Sequence, residues 1–250
     1  IQSDGSYNNM HGFWCLENGD NLLSVVNGSN LVVQNFAHNA IEWDGTTKYY
    51  FEVKDSTYTS NHTRGGIIGI WDVTFENAAV NVINSSGNGS NGSDYTITNS
   101  IVNYDNNGAH GLSAGNVIIT DSLVTCKGNK YTGFHVAGTL EASTTEIGKY
   151  KTQIDVTGNS WGTWGNDLFA GLRLIGSAAV NAGVTLNVSD NFGVGIRASG
   201  SDSTYTFADG VCLTAMTNGK SIANGTQYNT TGGGIWNAGT MTLPADAVIC

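Results

Sequence analysis

The sequence repeats at a nearly constant interval of about 22 residues, within the range of period typical of solenoids. A short alternating strand pattern ends each time in Asn or Asp beside a small residue, and the steps between its first five occurrences are equal except for a slightly shorter first one. The pattern ends at Asn35, Asp55, Asn77, Asn99 and Asp121, and later at Asp190 and Asp209. A unit of this length cannot bury an apolar face alone, but stacked units hydrogen-bond each strand to its equivalents above and below. The repeat therefore predicts a solenoid.

The composition favours strands over helices. The chain holds 34 glycines and a single proline, Pro244, and its charged fraction is only 12%. Val, Ile, Tyr and Trp favour strands, Gly and Asn favour turns, and proline would remove hydrogen-bond donors from a sheet. We therefore predict an all-β fold, a single β-helix domain over residues 1–250. About 22 residues per coil would give roughly 11 coils and a rod on the order of 50 Å long.

A second repeated element predicts a column of outward-facing side chains. It is a glycine-bounded hexad, seen as GFHVAG, GLRLIG, GIRASG and GIWNAG, with AIEWDG and the shorter GLSAG as variants. Strand alternation turns the apolar residue after the first glycine inward and the next residue outward. The predicted column contains Glu42, His135, Arg173, Arg197 and Trp236, with Ser113 one step out of register and Trp71 in a coil that matches the hexad less well.

The run GGGIWNAGTMTL (232–243) resembles the GGGI-aromatic-N-x-GTLTL repeat of large bacterial surface proteins with pectate-lyase-like β-helices. That group includes polymorphic outer-membrane-type proteins and adhesin-like proteins of gut bacteria. The match covers about a dozen residues, while the coil pattern extends over most of the chain. The resemblance implies a right-handed parallel β-helix, a secreted or cell-surface location and an adhesive role, and it brings no catalytic residues.

Charge and hydropathy exclude several classes of partner. With a net charge of −10 and only 10 Lys and Arg residues, the chain lacks the basic patch that nucleic acid requires. The sequence has no apolar run long enough to span a bilayer. Because MTLPADAVIC reads as an unfinished coil, we expect the chain to belong to a longer secreted or cell-surface protein. We expect the protein to be monomeric.

Cysteines and histidines give no metal or cofactor prediction. Cys126 and Cys212 lie in apolar strand patterns and are expected to be buried thiols, although a Cys212–Cys250 disulfide is an alternative. Cys15 also has no CxxC partner, and none of the five histidines pairs at metal-ligand spacing. The polar run SSGNGSNGSD (85–94) is interpreted as a loop without the calcium-binding β-roll motif.

Three functions are compatible with this pattern. An adhesin-like domain would bind a host glycan or glycoprotein, such as an immunoglobulin, because Arg holds carboxylates bidentately and aromatic rings stack on sugars. Its predicted ligand-binding residues are Trp71, His135, Arg173, Arg197 and Trp236. A passive stalk would neither bind a ligand nor catalyse a reaction.

A polysaccharide hydrolase or lyase is the catalytic alternative. A hydrolase needs two nearby carboxylates, for which Glu42, Asp44 and Asp72 are the candidates. GLSAG matches the nucleophile-elbow pattern, but that motif needs a strand-to-helix turn. The repeat itself explains Gly111 and Gly115, so Ser113 is given no catalytic role.

Overall fold

The computed structural model describes residues 11–15, 21–43, 48–161, 170–219 and 233–249. Over these residues the chain is all-β, and its parallel strands stack as a β-solenoid of about eight turns with about 24 residues per turn. The predicted β-helical fold is confirmed, and its right-handedness stays a prediction. The predicted coil count was too high because insertions lengthen some coils. His135 and Arg173, for example, are directly stacked although well over one average coil separates them in sequence. Among the described residues, no helix meets the length and hydropathy that a bilayer crossing requires.

Each full coil contributes a strand segment to each of three faces. The first face contains β1 (Phe13–Cys15), β4 (Ile41–Trp43), the first halves of β7 (Ile67–Glu76), β9 (Ser90–Thr98) and β11 (Leu112–Thr120), then β13 (Phe134–Val136), β16 (Ala170–Leu174), β19 (Val194–Ala198) and β22 (Ile235–Asn237). The second face contains β2 (Asn21–Val25), β5 (Tyr49–Lys54), the second halves of β7, β9 and β11, then β14 (Leu140–Ser143), β17 (Ala178–Val180), β20 (Thr204–Phe207) and β23 (Thr240–Thr242). Because β7, β9 and β11 cross the boundary, these two faces form one 15-stranded sheet.

The third face is a separate sheet of nine strands. It contains β3 (Asn30–Gln34), β6 (Thr57–Asn61), β8 (Ala79–Ile83), β10 (Ile101–Asp105), β12 (Leu123–Lys127), β15 (Gln153–Thr157), β18 (Thr185–Ser189), β21 (Cys212–Ala215) and β24 (Val248–Ile249). Every strand pairing in both sheets of the described chain is parallel.

Alternation along each strand builds the core. In β5 the burial alternates strictly, so that Tyr49, Phe51 and Val53 point inward. The inward residues of successive coils lie directly over one another and exclude water from the interior of the rod. One such inward column runs Val53, Phe75, Ile97, Ile119, Ala142, Val180 and Phe207, each of which is buried.

The Asn/Asp signature of the sequence belongs to two different corners. Asp55, Asn77, Asn99 and Asp121 turn the chain from the second face to the third with φ of 48–51°. Asn and Asp adopt this left-handed conformation more readily than other non-glycine residues. Asn35 instead lies at the corner from the third face to the first, which explains why the step that follows it is irregular. Asp190 also lies at that third-to-first corner, whereas Asp209 precedes Gly210, which carries the positive φ at the second-to-third corner.

A buried ladder of asparagines, which sequence reasoning missed, lines the corner between the third and first faces. Asn129 Nδ2 donates to Asn159 Oδ1 at 2.9 Å and to the Tyr104 carbonyl at 2.8 Å. Asn129 Oδ1 in turn accepts the Asn107 backbone N–H at 3.0 Å. The ladder consists of Asn107, Asn129, Asn159, Asn191 and Asn218. Its sequence signal is an Asn directly after the positive-φ residue of that corner.

The cysteine predictions met different outcomes. Cys126 is buried as predicted. The prediction for Cys212 was wrong, because this residue occupies an outward, exposed place at the start of β21. Cys250 lies outside the described residues, and so does the alternative disulfide.

Replacing Asn159 with Ala tests the asparagine ladder. The change removes the acceptor of the Asn129 backbone N–H and both donors to Cys126 O and Asn191 Oδ1. Because the groups left behind are buried, we expect the free energy of unfolding to fall by about 2–4 kcal/mol. Urea denaturation followed by circular dichroism measures this. Asn181→Ala, at an exposed corner position, is the matched control and should change little. Equal stability of the two variants would contradict the role of the ladder.

Candidate functional site

The first face carries the predicted column in register. Ser113 lies opposite His135, His135 opposite Arg173, Arg173 opposite Arg197, and Arg197 opposite Trp236. Ser113 is in register with His135, not one step out of register as predicted. GLSAG is one residue shorter than the other hexads, and the missing residue falls after Ser113 rather than before it. These five residues, one from each of β11, β13, β16, β19 and β22, are hereafter called the first-face column.

Beyond the first-face column, the same face continues towards the first coils, and Glu42, which was predicted to belong to the column, lies there. Before Ser113 its places are taken by Asn91, Ile68, Glu42 and Trp14. Trp71 lies outside the column, because Ile68 fills that place and a register irregularity between Ile68 and Ile70 shifts the rest of the strand. Trp71 is 45% exposed, and Lys48 Nζ lies 5.1 Å from the centroid of its ring.

Two arginines stack at the centre of the column without a carboxylate partner. Arg173 and Arg197 are paired on adjacent strands, and the Nε of each is buried with no hydrogen-bond partner. Within the described part of the chain, the ion pairs join His11 to Glu42 and Lys54 to two glutamates, and none involves these arginines. Burial lowers the pKa of Arg173, and the charge of Arg197 adds to the shift.

An aromatic ring and a histidine flank the arginine pair. The Arg197 guanidinium carbon lies 4.5 Å from the Trp236 ring centroid, within cation–π distance. On the other side, His135 Nδ1 is 3.2 Å from Ser113 Oγ. Burial lowers the pKa of His135 to about 4, and the charges of Arg173 and His110 contribute. His135 is therefore neutral at pH 7, and the two arginines supply the positive charge of the column.

The catalytic candidates are not brought together. Glu42 lies on the first face between Trp14 and Ile68, whereas Asp72 begins the second-face segment of β7. Asp44 lies outside the described residues. The strand neighbour of Asp72 is instead Asp94. Sequence reasoning missed Asp94 because it interpreted residues 85–94 as a loop, whereas β9 begins at Ser90. The available signal was the interval between Asp72 and Asp94, which equals one repeat.

Asp72 and Asp94 line a groove of about 440 Å³ on the second face. Its wall also includes Asn116, whose Nδ2 donates to Asp94 Oδ1 at 2.8 Å, and the carboxylate-bearing Glu141. Burial raises the pKa of Asp72, the charge of Asp94 adds to this, and Lys48 opposes it. The groove thus contains one carboxyl group that holds its proton more tightly than usual beside a second carboxyl group.

Three metal-ligating side chains meet at the first two coils. His11 Nδ1 lies 2.6 Å from Glu42 Oε2, and the His11 and His38 ring centroids are 4.5 Å apart. The spacing of the histidines along the sequence did not indicate this cluster. His11 and His38 are about one coil apart in sequence, so stacking places them side by side.

No protein-family model matches the chain, and comparisons with curated proteins and with solved structures likewise find no match. The fold defines the chain as a parallel β-solenoid. The narrower resemblance of residues 232–243 to bacterial surface proteins stays a hypothesis.

The charge state of His135 is directly testable. Between its ordinary pKa of 6.5 and its folded pKa of about 4, the unfolded chain binds a proton that the folded chain excludes. His135 therefore lowers the free energy of unfolding as the pH falls through this window. We expect an NMR titration of the imidazole with a midpoint near 4, moved upward but not to 6.5 by Arg173→Gln. A wild-type midpoint of 6.5 would contradict the buried, neutral state.

Proposed function

We propose that this chain is an extracellular, adhesin-like recognition domain whose first-face column binds an acidic glycan, either free or carried by a host glycoprotein. The observation that carries the proposal is the stacked pair Arg173 and Arg197, which has no carboxylate partner among the described residues.

The arginine pair is arranged to hold an anion. Neighbouring strands in a sheet are about 4.8 Å apart, so the two positive charges repel each other across a short distance. A carboxylate or sulfate group bridging them would relieve this repulsion and supply acceptors for unpaired guanidinium donors. The overall charge of −10 opposes a polyanion only weakly at this point, since charges beyond about 8 Å are screened at physiological salt.

Trp236 and Ser113 would extend the site along the rod. The Trp236 ring fixes the Arg197 guanidinium by a cation–π contact, which reduces the freedom the arginine would lose on binding. Ser113 and the half-buried His135 offer hydrogen-bonding groups at the other end. Four strand spacings separate Ser113 from Trp236, about 19 Å, so the column suits an elongated ligand running along the rod axis.

The proposed extracellular location is supported by the sequence resemblance rather than by the arginine pair. The resemblance of residues 232–243 to a repeat of bacterial surface proteins supports a secreted or cell-surface protein. Immunoglobulins and other host glycoproteins are the protein partners that this location favours. Trp71, which lies outside the column, remains a predicted ligand-binding residue.

Removing the arginine charges tests the proposal. We expect Arg173→Gln with Arg197→Gln to weaken binding of uronate-containing or sulfated oligosaccharides by roughly 10–100-fold for each bidentate interaction removed, measured by glycan array and titration calorimetry. Lys127→Gln, which removes an exposed cation from the third face, is the matched control and should bind like the wild type. Equal binding by the double variant, or equal binding of neutral and acidic glycans, would contradict the proposal.

The second-face groove favours a second candidate function, hydrolysis of a polysaccharide. Asp72 and Asp94 are paired on adjacent strands, whose backbones lie about 4.8 Å apart, and retaining glycosidases use two carboxyl groups roughly 5–5.5 Å apart. The raised pKa of Asp72 suits a general acid, and Asp94, its neighbour on the next strand, would serve as the nucleophile.

A reducing-sugar assay tests this candidate. If the groove is catalytic, Asp72→Asn and Asp94→Asn each lower sugar release by a factor of about 100 or more, because each deletes one half of the acid–nucleophile pair. Asp209→Asn, at an exposed corner, leaves release unchanged. Release that survives both groove substitutions would exclude this site. Absence of both binding and release would favour a passive stalk.

A further inference from the structure

We propose that His11, His38 and Glu42 bind one divalent transition-metal cation at the first two coils of the solenoid. One nitrogen of each histidine and one oxygen of the glutamate all lie within 4.8 Å of one another, and all three side chains are half-buried. The proposal is independent of the glycan site, because Glu42 lies five strand spacings before Arg173 along the same face.

The contact between His11 and Glu42 is one that a bound cation would complete. His11 Nδ1 and Glu42 Oε2 are 2.6 Å apart, yet neither atom makes a hydrogen bond and both are shielded from solvent. Buried polar atoms that make no hydrogen bond cost free energy, which the ion-pair contact offsets only in part. A cation coordinated by the nitrogen and the oxygen together would satisfy both atoms at once.

The donor set selects the class of metal. Two imidazole nitrogens and one carboxylate oxygen suit Zn²⁺, Fe²⁺, Co²⁺ or Ni²⁺, whereas Ca²⁺ and Mg²⁺ prefer oxygen ligands throughout. Ligand atoms bound at about 2.0–2.2 Å to a tetrahedral ion lie roughly 3.3 Å apart. Side-chain rotations that move the donor atoms by about 1 Å would therefore bring the three donors into place. Three protein ligands leave one coordination position for water.

The surroundings orient the histidines. The Trp14 ring stacks on His11 at a centroid distance of 4.9 Å and an angle of 20°. The backbone carbonyl of His38 accepts the Arg64 N–H at 3.1 Å, which anchors its loop to the next coil. Because His11 precedes β1 while His38 and Glu42 belong to the following coil, a bound metal would link two coils that β1 and β4 already pair.

Zinc binding to the full 250-residue chain provides the test. After chelator treatment, calorimetric titration with Zn²⁺ alone should show one site that is abolished, or weakened by about tenfold or more, in Glu42→Gln and in the double variant His11→Ala with His38→Ala. His62→Asn, which replaces an exposed histidine at a corner by a residue that tolerates its positive φ, is the matched control. Far-UV circular dichroism identifies any variant that has unfolded. If the histidine double variant unfolds, zinc binding by the isosteric Glu42→Gln variant tests the proposal.

Two further readouts distinguish this site from others. Co²⁺ substitution should give the weak visible bands of nitrogen and oxygen ligation without a thiolate charge-transfer band, and the melting temperature should rise with Zn²⁺ in the wild type but not in Glu42→Gln. No zinc binding by the wild type, unchanged affinity in the variants, or a thiolate band from the cysteines would overturn the proposal. Oligosaccharide binding by Glu42→Gln should remain at the wild-type level.

Discussion

The in-register parallel pairing of successive coils is the interaction on which the rest of the structure depends. Each strand donates and accepts hydrogen bonds with the equivalent strand of the next coil, so a side chain at one place in a coil lies directly over its equivalent in the next. Val53 and Phe207 are far apart in sequence but belong to one inward column. The same geometry that builds the core also aligns Arg173 with Arg197 on the outside.

The corners keep this register despite coils of different length. The buried amides of Asn129 and Asn159 fix the third-to-first corner from one coil to the next. At the second-to-third corner, residues between β14 and β15 form an insertion that packs back onto the stack. There Thr145 donates to Asp121 through both its backbone N–H and its hydroxyl, each at 2.6 Å. Extra residues therefore leave the rod at its corners while the faces stay aligned.

The fold and much of the first-face column were predictable because both depend on periodicity. The hexads align His135, Arg173, Arg197 and Trp236 correctly even though the interval between neighbours varies, since each hexad marks its own strand. The strand that carries Asp94 was not predictable from this pattern. The polar run before Asp94 resembles a loop in composition, and only stacking on β7 and β11 makes its second half a strand.

The metal-ligating cluster was also beyond sequence reasoning. His11 and His38 share no local motif, and the coil that separates them differs in length from the regular repeat. The two histidines come close together only when the first coil pairs with the second. The charge state of His135 likewise depends on burial beside Arg173, which a linear sequence does not contain.

Distances between spin labels test the coil register most directly. Outward residues of the third face stack in the order Thr59, Asn81, Asn103, Thr125, Asp155, Asn187 and Thr214. In a background lacking the native cysteines, labels at the pairs 81/187, 81/214 and 59/214 span four, five and six strand spacings. Pulsed electron paramagnetic resonance should give distances near roughly 19, 24 and 29 Å, rising by about 4.8 Å per coil. Distances that do not increase by one strand spacing per coil would contradict the stacked register and remove the basis of the first-face column.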